Sequence, residues 1–398
     1  MLVVGGGPAG AATAAFAARS GLRVIVVDRA VFQREKPCAE YLSPEAGRDL
    51  EALGVLDELL ASGAERLTGM RIVSDDGAAV TGRFAAAEGF PPFRPWGLAV
   101  RRTVLDPALL RAAARAGAEV REGAALEDLV LEAGAVRGGV VRDRSGTRTV
   151  RARVVVGADG LNSRVARRLA LARRGRPWRL ALTAHVAGVR DLTDCGEMCC
   201  GRGWYVGVAH LGGGVASVAM VVPWADRAAI AADAPGYFLR RLAGHPALAA
   251  RVRDARIVRR ILAAGPFARS PRGVTAAGAL LVGDAAGFFD PFTGEGVFAA
   301  LRGGRLAAET LASALGGTDG PGARALAPYA AARRRAFHDK AVLERVVGLS
   351  ATRPAVMRRF TGRLGRRPGV ADLWVGAAGD TVPVRALFAP RHLAAVLF

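Results

Sequence analysis

Residues 1–10 read MLVVGGGPAG and residues 11–28 continue AATAAFAARSGLRVIVVD. Three apolar residues, a glycine-rich corner, an alanine-rich run and a second apolar run ending in Asp28 spell strand, turn, helix and strand. Within this unit Gly5, Gly7 and Gly10 satisfy GxGxxG. The first glycine permits the tight turn, the second lets backbone approach a pyrophosphate, and the third allows the helix to pack closely on the strand. The helix N-terminus presents N–H groups to phosphate charge, and an acid at the end of the second strand can bind ribose hydroxyls. A dinucleotide site is the reading. The corner alone does not choose among NAD, FAD and S-adenosylmethionine.

Working outward, 398 residues with 51% hydrophobic and 23% charged content describe a folded chain of two packed domains. The formal charge of +21 comes almost wholly from arginine, since only Lys36 and Lys340 are lysines. These arginines are scattered through helical stretches and form no basic stripe interleaved with aromatics, so a nucleic-acid surface is not expected. The cysteines, Cys38, Cys195, Cys199 and Cys200, make no CxxC pair. No metal site is expected, and reduced thiols in a cytoplasmic protein are. Residues 1–18 and 204–225 are poor in charge but broken by glycine and proline, so neither a signal peptide nor stable membrane insertion is expected.

Two later segments repeat the strand-then-turn pattern. VVVGADGLNSRVARR sets Asp159 and Gly160 after an apolar run, and GALLVGDAAGFFDPFTGEGVFAALRGG sets Gly283 and Asp284 after another, with Pro291, Gly294, Glu295, Gly296 and Val297 leading into a helix. Between them lie long apolar alternations, with Gly212–Gly214 marking a hairpin between two strand-like runs.

In these three segments the chain resembles the FAD-dependent oxidoreductases of the p-hydroxybenzoate hydroxylase fold. The resemblance implies a doubly wound, Rossmann-like FAD domain over 1–75, 101–175 and 271–345. It further implies an inserted antiparallel substrate sheet over 76–100 and 176–270, and a helical tail over 346–398. In that superfamily the Gly-Asp acid binds the ribityl chain, and the glycine turn aims a helix N-terminus at the reduced flavin. VRRTVLD resembles the family's Arg-x-x-apolar-Asp, which carries Arg102 over as a cofactor neighbour. EKPCAEYLSPEA resembles the cysteine loop of the geranylgeranyl reductase branch, which puts Cys38 near the flavin ring. Pro8, Ala9, Arg29 and Ala125 complete the expected cofactor contacts. The first strand begins almost at Met1, where this fold ordinarily has a few more residues, which points to a late start or a trimmed strand.

The branch bears on the reaction. GDAAGFF lacks the histidine that many aromatic hydroxylases carry there, and GWYVGVAHL lacks the Trp-x-Trp-x-Ile-Pro of the halogenases. The tryptophan-type halogenases also need a lysine beside the substrate, and none lies between Lys36 and Lys340. Hydroxylation of a small apolar or aromatic, polyketide-like metabolite through a flavin hydroperoxide, with O2 as co-substrate, stands slightly ahead of carbon–carbon double-bond reduction. Flavin halogenase and non-enzymatic flavoprotein are the remaining, less favoured alternatives. NAD(P)H is the expected electron donor, bound transiently because no second GxGxxG occurs. His185, Trp204, Tyr205 and His210 are the candidates on the sheet to face the flavin, with Cys38 from the loop.

Overall fold

The structure is a computed structural model and describes residues 1–173, 178–268, 270–316 and 320–397. Its first sheet has six strands in the order Thr275–Ala276, Ala279–Leu281, Val155–Gly157, Leu2–Val4, Ile25–Asp28 and Glu119–Glu122. All pairs are parallel except the short edge pair 275–276 with 279–281. Parallel strands need both faces covered, and the alternation of side chains shows how this is done. Val3, Val26, Val156 and Leu280 pack against the helices Pro8–Arg19, Arg102–Arg115 and Gly296–Ala314. Leu2, Val4, Val27, Val155 and Leu281 point the other way, against Leu126, Val136, Val141 and Val150.

Those last residues belong to an antiparallel three-stranded sheet, Ala125–Glu132, Ala135–Asp143 and Gly146–Arg151. The fold is therefore a mixed α/β fold in which helices cover one face and β-structure the other. This departs from the doubly wound expectation of helices on both faces. The physical reason is the period of two in residues 125–151, which builds a sheet with one apolar side.

A second, seven-stranded sheet runs Arg256–Ala264, Arg179–Ala187, Val215–Pro223, Trp204–His210, Cys195–Gly201, Gly69–Val73 and Ala79–Arg83. Its pairs are antiparallel save 195–201 with 69–73. The boundary expected at residue 75 falls in the turn between two paired strands of this sheet, where Gly69 registers with Arg83 and Val73 with Ala79. The boundary expected at 175/176 lies outside the described residues. Strand Gly97–Ala99 joins neither large sheet and pairs with Tyr41–Leu42 and Glu65–Leu67.

From residue 323 the chain is helical: Ala323–Ser350, Pro354–Leu364, Pro368–Ala378 and Pro390–Leu397, with a 3-10 turn at Val384–Phe388. This region lies on the 69–83 hairpin, where Arg83 N–H donates to Asp372 Oδ1 at 2.7 Å and Ser74 meets Thr361 at 3.0 Å. Among the described residues no helix is long and apolar enough to cross a membrane.

The glycine corner fixes how the first helix meets the first strand. A β-carbon on Gly10 would lie 1.8 Å from the Gly5 carbonyl oxygen, a separation that no repacking of side chains relieves. Gly10→Ala is therefore expected to cost at least about 1–3 kcal/mol, read as a lower thermal midpoint with loss of bound cofactor. Gly362, in the helix Pro354–Leu364, has no atom within 4 Å of its β position. The paired control Gly362→Ala is expected to raise the midpoint slightly, by about 0.5–1 kcal/mol.

Candidate active site

A single cavity of about 690 Å³ runs from the glycine corner to the seven-stranded sheet. At the corner Asp28 uses both carboxylate oxygens to hold the turn, accepting Gly6 N–H at 2.7 Å and Ala30 N–H at 2.8 Å. Gly7, Pro8 and Ala9 line the cavity at the helix start. Arg29 is exposed and Ala125 half-buried, and neither reaches the cavity wall.

Two guanidinium groups face Gly7. Arg34 Nη2 and Arg102 Nη2 lie 3.5 and 4.0 Å from where a β-carbon on Gly7 would sit. Both are anchored on the fully buried Asp106, which Arg102 grips through two hydrogen bonds of 2.7 and 2.8 Å and Arg34 meets at 3.1 Å. One carboxylate between two guanidinium groups leaves a positive balance, with Arg34 Nη1 on Asp106 Oδ2 and Nη2 turned to Gly7. With the N–H groups of the helix start, this is a cradle for a pyrophosphate.

Beyond the corner, Gly160, Gly283 and Asp284 border the cavity and lead to Pro291, Gly294, Glu295, Gly296 and Val297. Gly294 has φ +71°, and a β-carbon there would lie 2.4 Å from the Tyr41 ring. Asp159 is turned away. Its carboxylate accepts Ser163 Oγ at 2.5 Å and the N–H groups of Arg164 and Val165, so it caps the short helix Arg164–Arg168. The Asp-Gly segment contributes Gly160 to the cavity and not the acid.

The segment 34–40 supplies a second wall. Lys36, Pro37, Cys38 and Ala39 line the cavity, and Lys36 Nζ lies 3.5 Å from the β position of Gly160. Burial, and then the nearby Arg102, push the Lys36 ammonium below its ordinary value. Glu40 ends the segment in a left-handed conformation, φ +59°, which ordinary side chains adopt at a cost. Three contacts hold it there: Cys38 Sγ accepts its N–H, Oε1 accepts Arg102 N–H at 3.0 Å, and Oε2 meets His185 Nε2 at 2.6 Å.

The sheet presents Ala181, Thr183, Met198, Tyr205, Ala219 and Val221 to the cavity, with Phe267 and Phe288 beyond them. Of the four sheet candidates, only Tyr205 reaches it. Trp204, one residue along, points to the opposite core and stands edge-on to His245. His185 shares a face with Thr183 but is spent on Glu40, and His210 lies part-exposed 4.0 Å from Glu65.

Tyr205 Oη donates to Asp290 Oδ1 at 2.5 Å, and Arg179 pairs with Asp290 Oδ2 at 2.7 Å. Asp290 N–H in turn donates to Glu344 Oε1 at 2.9 Å, and Glu344 also lines the cavity. Burial, reinforced by Asp290, pushes the Tyr205 hydroxyl well above its ordinary value. Burial also pushes Glu344 up to about 8, with the Glu295 charge as the next cause. Arg34 and Glu344 lie outside the quoted motifs, while Lys36, Glu40 and Asp290 lie inside them without being singled out. The alternate-residue spacing of Arg34, Lys36, Cys38 and Glu40 is the signal that could have found Arg34, Lys36 and Glu40.

The family model described as FAD binding domain matches residues 1–345. The chain belongs to this FAD-binding family. The flavoprotein is 32% identical over 342 residues to a menaquinone reductase of Mycolicibacterium smegmatis, covering 79% of this chain and 76% of that protein. It is 31% identical over 328 residues to a digeranylgeranylglycerophospholipid reductase of Methanosarcina mazei, covering 80% and 76%. Among solved structures it resembles the myxobacterial chondrochloren halogenase CndH, with TM-score 0.77 and 25% identity, covering 84% of this chain and 79% of that one. The protein is an FAD-dependent oxidoreductase, and the corner, the paired guanidinium groups and the open cavity beyond them fit FAD.

Arg34→Ala removes one charge-assisted contact to the pyrophosphate and is expected to weaken FAD binding roughly tenfold or more, measured by fluorescence titration of apoprotein. Glu344 gives a pH signature. Its folded-state value lies above the ordinary 4.5, so the native state holds the extra proton and stability is lost as pH rises from about 4.5 to about 8. Glu344→Gln is expected to flatten that loss, read from urea unfolding of both proteins across the range.

Proposed function

We propose that the protein reduces a carbon–carbon double bond of a long apolar, isoprenoid-type substrate, with a nicotinamide as the transient electron donor. The observation that carries this reading is the chemistry of the sheet wall. Ala181, Met198, Ala219 and Val221 are apolar, with Phe267 beyond the sheet, and the two hydroxyls on this wall are engaged, that of Tyr205 by Asp290 and that of Thr183 by Arg259. Hydroxylation of a phenolic ring calls for a base against the substrate hydroxyl. His185 is held by Glu40, and Glu344 is pushed into the range where it keeps its proton at neutral pH.

An acid facing an apolar pocket suits a reaction that must deliver a proton to carbon. The reductase relatives and the placement of Cys38 on the cavity wall support the same choice. Bound FAD supplies the two-electron chemistry. Arg34 and Arg102 would hold its charged part, with Lys36 beside Gly160, while Tyr205 and Phe267 enclose the substrate side.

The test is anaerobic. Reduced holoprotein is mixed with a short-chain menaquinone or a geranylgeranyl phospholipid, and flavin reoxidation is followed by absorbance with mass analysis of the lipid. Reoxidation with a gain of two mass units that stays on the isoprenoid chain after any quinol is reoxidised to the quinone supports double-bond reduction, and a gain lost on that treatment overturns it in favour of quinone reduction. Reoxidation that needs oxygen, with a gain of one oxygen atom, overturns it in favour of hydroxylation.

A further inference from the structure

Behind the loop that carries Gly294 lies a buried charge cluster with no part in the steps above. Glu295 precedes the first residue of the helix Gly296–Ala314, and its carboxylate meets Lys340 at 3.2 Å. Lys340 is already held by Asp380 Oδ1 at 2.6 Å and donates to the carbonyl oxygens of Ala377 and Ala378 at 2.8 and 2.9 Å. One ammonium thus serves two carboxylates. Glu295 Oε2, close to the ammonium but outside hydrogen-bond geometry, and Asp380 Oδ2 are both buried without a hydrogen-bond partner.

Two buried carboxylates on one cation leave one negative charge uncompensated, and a proton is the cheapest way to remove it. Burial pushes Glu295 up to about 7, with Lys340 opposing and Asp380 adding to the rise. Burial also raises Asp380, again against Lys340. The other groups facing the cluster are Arg333 and Glu344 from the long helix, Tyr41 from the strand 41–42, and Ser43 and Glu45 beside Asp380.

Glu295 also lines the cavity, directly before the open N-terminus of its helix. The pyrophosphate cradle lies at Gly7, and the same cavity extends to Gly294 and Gly296. Bound FAD would have its flavin half in that part of the cavity. Negative charge that arrives there on reduction lies beside a carboxylate already short of compensation.

We propose that Glu295 takes up one proton from solvent when the bound flavin is reduced, so that the Glu295–Lys340–Asp380 cluster links the reduction potential to pH. The proposal rests on the FAD reading of the cavity. The external reductant gives two electrons to the flavin, and an O–H bond forms on Glu295 with a proton drawn from water. Nothing leaves and no other bond is made at the cluster.

The experiment is the midpoint potential of the holoprotein as a function of pH, with xanthine and xanthine oxidase as reductant and a reference dye. Between about pH 7 and 9 the natural protein is expected to show a slope steeper, by one proton per two electrons, than Glu295→Gln. Glu295→Asp is expected to keep the steeper slope. Asp380→Asn removes the neighbouring negative charge and is expected to move the break to lower pH, which gives a second readout should Glu295→Gln fail to fold. Parallel lines for the natural protein and Glu295→Gln, or an unmoved break in Asp380→Asn, overturn the proton linkage and leave the FAD site standing. Colourless protein that takes up no FAD overturns both.

Discussion

Asp290 is a carboxylate with almost no access to water, and the elements around the cavity are arranged to keep it paired. A charge stripped of solvent costs several kcal/mol unless hydrogen bonds and an opposite charge replace the water. Arg179 comes from the seven-stranded sheet, Tyr205 from a strand two places away in that sheet, and the N–H of Phe292 from the loop that carries Asp290 itself. The Arg179 guanidinium then reaches Gly348 and Thr352 at the end of the long helix. Sheet, loop and helix cannot separate without leaving one of these charges alone. The lip of the cavity is thereby fixed.

Some of this was readable in the chain. The Gly5–Gly10 corner and the positive φ at Gly294 are sites where a side chain cannot fit, and such constraints act within a few residues. Orientation across the second sheet was not readable. Both of its faces are buried, Trp204 against Val206 and Met220 on one side and Tyr205 against Val221 and Phe292 on the other. An apolar run with no polar face carries no mark of which alternate residues meet the cavity. The Asp-Gly segment misleads for a related reason. Asp159 lies four residues before Ser163, within reach of the next helix start, and local capping takes the carboxylate that a motif assigns to the cofactor.

The large positive charge has a similarly divided meaning. Many arginines meet acids at the surface, as Arg358 does with Asp75 and Arg94 with Glu51, where solvent leaves such pairs worth little. The few that matter lie where water is scarce. Arg34 and Arg102 share one buried acid, which leaves that arrangement with positive charge to spare, whereas Arg179 and Asp290 are matched one charge to one. Net charge counts all of these alike, so it said nothing of the site.

The last link is the helical region that follows residue 345, where the family match ends. Its first residues accept from Arg179, and its far end brings Asp380 and two carbonyl groups to Lys340. Lys340 is the cation facing Glu295, at the entrance of the helix that the Asp290 loop feeds. A segment whose backbone never borders the cavity therefore sets the charge balance at its edge. On the proton linkage proposed for Glu295, variation in such a tail would change that charge balance while every residue of the glycine corner stays the same. The glycine corner marks a dinucleotide, and the tail supplies charge at the rim of the cavity that the corner opens.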